Sequence, residues 1–342
     1  AAGVEIANVT LDATTLEVLA PFVDPVFNTE PEFTPGNSNT VSWNDVGATE
    51  YQVQMGDSPD FSSLIADSGW LSETSYDFAG LTNGQTYYFR LKARSDSPAF
   101  ESAWLAGTVF STQDDEGPSS QAEPLGTYQT ALTFPVTWTG SDAVSGLSRV
   151  ELWVDSGSGF ALVETNTDPE SGTPFSFTAP AEGVYNFYTT AYDMVDNAEA
   201  APEGADAFTT VDVTAPSGDL LINVGATLTN DQAVALTNSI LDAQQMRFTN
   251  IAGDFSAPES QWQDFSETLA WILTSGDGEK TVFAEYQDVA GNIYATSASI
   301  MLDTTPPVDS FVINDGDLLT NNPIVTLTNA GSDAVEMRFT NI

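Results

Sequence analysis

The forty residues from Asp212 to Ile251 return ninety-one positions later, from Asp303 to Ile342, without a gap and with twenty-one identities. Among the identities are Asp212/Asp303, Asp242/Asp333, Leu236-Thr237-Asn238 against Leu327-Thr328-Asn329, and Met246 to Ile251 against Met337 to Ile342. A period near ninety is longer than the roughly 20–50 residues of solenoid units, which lean on their neighbours, and it suits one self-closing β-sandwich per repeat. The expectation is therefore an all-β array of tandem β-sandwiches. The second copy stops about halfway through its unit, so the last domain is expected to be incomplete.

Charge narrows the partners. Seven basic residues stand against forty-nine acidic ones, a net charge of -42. Nucleic acid and anionic lipid are bound by neutralising phosphate with Lys and Arg, so neither is expected as a partner. Self-repulsion of this size is tolerated best where salt screens it or divalent cations bind, which points to an extracellular or cell-surface setting. The chain has no cysteine and no histidine, which removes disulfides, the usual zinc sites, thiol nucleophiles and imidazole-dependent triads. No apolar run approaches the roughly eighteen residues of a membrane span.

Taken in order, Val4-Glu5-Ile6-Ala7-Asn8-Val9-Thr10-Leu11 alternates like a strand and leads into Asp12-Ala13-Thr14-Thr15. The sequence Ile300-Met301-Leu302-Asp303-Thr304-Thr305 has the same form. Residues 1–20 thus read as the end of a preceding domain with its linker, or as a donor strand for the unfinished domain of a neighbouring copy. Residues 21–113 contain short alternating runs cut by Gly, Pro, Asn and Asp, with no helical period. Arg90, Lys92 and Arg94 alternate on one predicted strand there, a solvated face expected to meet nearby carboxylates. Residues 114–213 and 214–303 read as two further sandwiches, and 304–342 as the first part of another.

Three motifs carry family resemblances. Trp43, then Leu81-Thr82-Asn83-Gly84-Gln85-Thr86-Tyr87 before an alternating strand, resembles the tyrosine corner of fibronectin type III domains. The run Asp288-Val289-Ala290-Gly291-Asn292, followed by Asp303-Thr304-Thr305-Pro306-Pro307, resembles the immunoglobulin-like repeats of large bacterial surface proteins and adhesins. Asp193-Met194-Val195-Asp196-Asn197 is a degenerate version with Asp196 in place of the Gly, which leaves the turn geometry in question. The resemblances imply a fibronectin type III-like domain followed by bacterial immunoglobulin-like domains in a prokaryotic surface protein.

Without histidine, the available chemistry is that of oxygen ligands. In an immunoglobulin-type sandwich the turn before the last strand lies at the pole where the chain comes in, and a ten-residue last strand leaves about 33 Å away at about 3.3 Å per residue. Asp288 is therefore expected to face Asp212 and not Asp303. The loop after the second strand reaches the same pole and brings Asp242. Candidate metal ligands are Asp212, Asp242, Asp288 and Asn292 in one sandwich, Asp114, Asp115, Asp142 and Asp193 in the one before, and Asp303 with Asp333 in the unfinished copy. Hard cations take six to eight oxygens, so Ca²⁺ at interdomain joints is the candidate cofactor. Local turn chemistry, in which Asp and Asn bond their own backbone, competes with that reading.

The functional expectation is a non-enzymatic structural segment of a secreted or surface protein: a stalk, adhesin, surface-layer or filament component. Its partners would be further copies of itself or other surface proteins. The alternative is a set of accessory, non-catalytic modules of a large secreted glycosidase or protease, and a third reading is direct carbohydrate binding through Trp70, Trp104 or Trp153. Paired carboxylates in turns at sandwich poles lack the concave site that glycoside hydrolysis needs.

Overall fold

The computed structural model describes residues 22–96, 99–331 and 334–340. The strand expected within residues 1–20, and Asp333, lie outside the described residues. The fold is all-β. Among the described residues there is no α-helix, and the only helical turns are 3-10 segments such as Pro169–Ser171 and Asn223–Gly225. The chain divides into two units, one ending at Val211 and the other running from Asp212 onward together with Tyr128–Ala131.

The first unit contains two cores. In the earlier one, strand Thr86–Asp96 follows the period of two that its sequence dictates. Tyr87, Phe89, Leu91 and Ala93 are buried, while the residues between them face outward. This strand is central in a sheet ordered Phe33–Pro35, Leu105–Asp114, Thr86–Asp96, Glu50–Gly56, Leu64–Asp67, and the pair Ser38–Ser42 with Ser75–Ala79 forms the opposing layer. Val41, Trp43, Val53, Met55, Phe78 and Phe89 fill the space between the layers. The Thr82 N–H donates to the Tyr87 hydroxyl at 3.0 Å, the corner expected from the sequence.

The outward face of the same strand is a ladder. Lys92 Nζ lies 4.8 Å from the Trp70 ring and 4.7 Å from the Trp104 ring. Arg94 covers Trp70 at 4.4 Å, and Arg90 sits over Trp104 at 4.6 Å and Phe61 at 4.5 Å. Lys92 and Arg94 also pair with Glu101 and Glu50. The expected carboxylate partners are present for Lys92 and Arg94, whereas Arg90 donates to the Gln54 amide oxygen, and all three cations also lie against aromatic faces.

The second core of this unit gathers Phe134, Val136, Val150, Leu152, Phe175, Phe177, Tyr185 and Phe187 from strands Thr133–Val136, Leu147–Asp155, Phe175–Thr178 and Gly183–Asp193. After an isolated bridge between Tyr192 and Ala198, pairing with Gly183–Asp193 resumes only at Ala207–Val211. Two carboxylates stitch the gap. Glu199 accepts from the Ser120 and Ala191 N–H groups, and Asp206 Oδ2 accepts from those of Ala122 and Thr189.

The second unit holds one closed core, with Leu236, Met246, Phe248, Val282, Ala284 and Tyr286 at its centre. Its sheets are ordered Ser217–Ile222, Ala233–Leu241, Thr268–Ile272 and Leu228–Thr229, Ile293–Leu302, Gly278–Gln287, Gln245–Thr249, Gln263–Asp264. The described residues after Pro307 form a single hairpin, Phe311–Ile313 with Leu327–Asn329. There Phe311, Ile313, Met337 and Phe339 are exposed, whereas their repeat equivalents Leu220, Ile222, Met246 and Phe248 are buried.

Candidate metal centre

Each of the two later sandwiches with a closed core places a hydrogen-bonded turn between its last two strands. In the second unit, Asp288 Oδ1 accepts from the Gly291 and Asn292 N–H groups at 2.7 and 2.8 Å, and Oδ2 accepts from Asn292 Nδ2 at 2.9 Å. Asn292 Nδ2 also donates to the Asp212 carbonyl at 2.9 Å, so the turn clips the incoming linker. In the first unit Asp193 plays the same part. Its Oδ1 accepts from Val195 and Asn197 at 2.9 and 2.8 Å, and its Oδ2 from Asn197 Nδ2 at 2.7 Å. Asn197 Nδ2 then reaches the carbonyls of Asp114 and Glu116.

The degenerate turn keeps a positive φ and the bonds from its Asn to its Asp. Asp196 takes φ 64°, in the same half of φ space as Gly291 at 103°. Asp enters the left-handed region more readily than most residues, because its short polar side chain bonds locally. The two turns share the bonds from the Asn four residues on, and differ in the other bond to the Asp, which comes from Val195 in one and from Gly291 in the other.

Around each turn three carboxylates converge. Asp114, Asp142 and Asp193 each offer an oxygen within 4.8 Å of the other two, and so do Asp212, Asp242 and Asp288. Two oxygens on opposite sides of a Ca²⁺ ion, each about 2.3–2.6 Å from it, stand about 5 Å apart, so both groups fit around such an ion. Asp288 thus lies with Asp212, the linker residue before its sandwich. Asp303 lies at the other end of the last strand, where its N–H donates to the Thr229 carbonyl and its Oδ1 accepts from Thr305.

Two of the candidates take other roles in the described structure. Asp115 is exposed, and its N–H donates to Asn83 Oδ1 at 3.0 Å. Asn292 contributes its amide nitrogen as the clip to the linker.

The two clusters differ in burial and in bonding. Asp114 and Asp193 are fully buried, each 0% exposed, and Asp142 is half-buried. Asp114 Oδ2 accepts from the Ser145 N–H at 3.1 Å, but its Oδ1 is buried with no hydrogen-bond partner. Asp142 Oδ1 accepts from Val144 and Gly146 at 2.9 and 2.8 Å. Burial pushes the Asp193 carboxyl above its ordinary range against the pull of its hydrogen bonds, and the Asp114 charge adds to the rise. In the other cluster Asp288 is 5% exposed, Asp212 is half-buried and Asp242 stands in solvent at φ 64°.

Sequence reasoning missed Ser145, whose N–H supports Asp114, and Gly117, where a Cβ would lie 2.5 Å from the Ala198 carbonyl oxygen. A Gly-Pro pair inside a linker was the available signal for close backbone approach. The tryptophans considered for sugar stacking are occupied. Trp70 and Trp104 each have two cations against the ring, and Trp153 stacks on Tyr188 at 5.9 Å while its Nε1 donates to Thr190.

No protein-family model matches the chain. Chitinase A1 of Niallia circulans is 28% identical over an alignment 269 positions long that covers 73% of this chain, and the chain spans 35% of that protein's length. Among solved structures, fibronectin(III)-like modules of Clostridium thermocellum CbhA share 17% identity over 55% of this chain and 93% of theirs, with a TM-score of 0.34. A tetra-tandem repeat from the extending region of a large adhesion protein shares 18% identity over 91% of this chain and 81% of its own, with a TM-score of 0.26. Likenesses at these TM-scores carry no functional argument.

Proposed function

We propose that the chain is a non-catalytic structural segment of a larger secreted or cell-surface prokaryotic protein, in which successive sandwiches set length and stiffness. The observation that carries this reading is the use made of the reactive side chains. The clustered carboxylates lie at strand ends, turns and linkers, and those of Asp114, Asp142, Asp193, Asp212 and Asp288 are bonded to backbone N–H groups, instead of lining a cleft. Linkers are gripped by side chains from the sandwiches they leave: Asn83 holds the Asp115 N–H, and Asp277 accepts from the N–H and hydroxyl of Thr304 and from the hydroxyl of Thr305. Such bonds remove linker freedom in addition to what Pro118, Pro306 and Pro307 remove.

Calcium at the joints belongs to the same proposal. The donor set is all oxygen, the spacing suits Ca²⁺, and the buried Asp114 Oδ1, which has no hydrogen-bond partner among the described residues, is an atom that a cation would satisfy. No helix among the described residues is long and apolar enough to cross a membrane. Partners would be further copies of the chain or other surface proteins. The test is small-angle scattering together with electron imaging of the purified chain with and without Ca²⁺. Extended particles that stiffen in Ca²⁺ support the proposal; compact particles of unchanged dimensions refute it.

The similarity to chitinase A1 favours a second reading, in which the chain is an accessory region of a secreted polysaccharide hydrolase. Retention on chitin beads supports it. Since cations cover Trp70 and Trp104, binding would have to use other surfaces.

A further inference from the structure

We infer that tight divalent-cation binding is confined to the Asp114, Asp142 and Asp193 cluster, with the Asp212, Asp242 and Asp288 cluster at least tenfold weaker. This rests on the calcium reading of the joints and adds an order to it. The clusters share the turn, the number of carboxylates and the oxygen spacing. They differ in access to water, and three consequences follow.

First, Asp114 Oδ1 is shut away from solvent and has no donor, so in the ion-free protein it bears an uncompensated desolvation cost. A cation removes that cost on binding. Second, repulsion among three carboxylates grows as the effective dielectric falls, and two members of the first cluster are fully buried. In the second cluster exposed Asp242 is solvated, so the ion-free state is less strained and an ion relieves less. Third, Asp142 is fixed by two N–H groups from its own turn, and Asp114 is the last residue of strand Leu105–Asp114. Fewer freedoms remain to be lost when the ion arrives. Asp114 ends one sandwich while Asp142 and Asp193 belong to the next, so the tight ion ties the two cores of the first unit together.

The test is calorimetric titration of Ca²⁺ into the chelator-stripped full chain and into Asp142→Asn and Asp242→Asn, with circular dichroism confirming that each variant is folded. The unsubstituted chain is expected to show one tight ion and a class at least tenfold weaker; Asp142→Asn loses the tight class and Asp242→Asn keeps it. Loss of the tight class in Asp242→Asn, or equal weakening in both variants, overturns the order. Absence of any binding to the unsubstituted chain overturns the calcium reading itself. Hydrogen exchange on the unsubstituted chain gives the same answer without substitution. Protection of the Ser145 amide is expected at Ca²⁺ concentrations at least tenfold below those that protect Gly291, and the reverse sequence overturns the inference.

Discussion

Replacing Asp114 by Asn is expected to stabilise the chain in the absence of calcium and to lose most or all of that advantage in its presence. The three oxygens of its cluster lie within 4.8 Å of one another. Two unit charges at that distance repel by about 3.5 kcal/mol at an effective dielectric of about 20. Asp114 takes part in two such pairs, and screening together with the raised proton affinity of Asp193 absorbs part of the sum. Asparagine keeps an oxygen for the Ser145 N–H and places an amide N–H where Asp114 Oδ1 now has no partner. In chelator, Asp114→Asn is therefore expected to stabilise the first unit by about 2–4 kcal/mol, a rise in Tm on the order of 10 °C for a domain of this size. Calcium at about a hundred times its Kd returns about 2.7 kcal/mol to the unsubstituted chain and little to the variant. Calorimetric melts with and without Ca²⁺ read both shifts. A variant less stable than the parent in chelator, or equal calcium stabilisation of the two, refutes the reasoning.

Val224 sits at φ 56° and is 80% exposed, an unfavourable conformation for a β-branched residue, and its repeat equivalent Asp315 has the same φ of 56°. Val224→Gly is expected to raise the stability of the second unit by about 1 kcal/mol, read as a higher urea midpoint with unchanged slope. Glu199→Ala removes the acceptor shared by Ser120 and Ala191 and is expected to cost about 2–3 kcal/mol, with faster amide exchange at both residues. Asp277 is held at about 2, below its ordinary value, by hydrogen bonds from the Thr305 hydroxyl and then from Thr304. A carboxyl depressed on folding contributes stability that is complete above about pH 4 and lost as the pH falls toward 2. Protection of the Thr304 amide is expected to fall across that window, and Asp277→Asn is expected to flatten the profile.

The strands were legible because each obeys a period of two: Tyr87, Phe89, Leu91 and Ala93 point inward for the same reason that Tyr88, Arg90, Lys92 and Arg94 point outward. The tyrosine corner was legible because one hydrogen bond over five residues fixes a local spacing. The meeting of Asp288 with Asp212 and Asp242 followed from strand length and connectivity alone, since a ten-residue strand cannot return to the pole it left. Burial was not legible. Asp114 and Asp115 are adjacent acids in one linker, yet one is fully enclosed and the other exposed. That difference depends on how two sandwiches close around the linker, which no local pattern encodes. The Glu199 and Asp206 stitch was hidden for a similar reason: carboxylates replace strand pairing only once the strand is known to be interrupted.

The two joints separate what a turn specifies from what its surroundings specify. Asp193 and Asp288 each accept from the N–H and the side-chain amide of the Asn four residues on, even with Asp196 standing where the other turn has Gly291; only the remaining bond differs, from Val195 in one turn and from Gly291 in the other. The turn therefore sets where the carboxylate points. Its chemistry is set by neighbours distant in sequence: Asp114 and Ser145 enclose one cluster, while Asp242 leaves the other open to water. Repetition of a motif along a chain thus fixes the direction of one carboxylate at each joint while leaving the burial of its neighbours free to vary from joint to joint. If the proposed calcium sites fill in the inferred order, an array built this way holds some joints at low calcium and leaves others to respond to its concentration, with the same Asp and Asn in each turn.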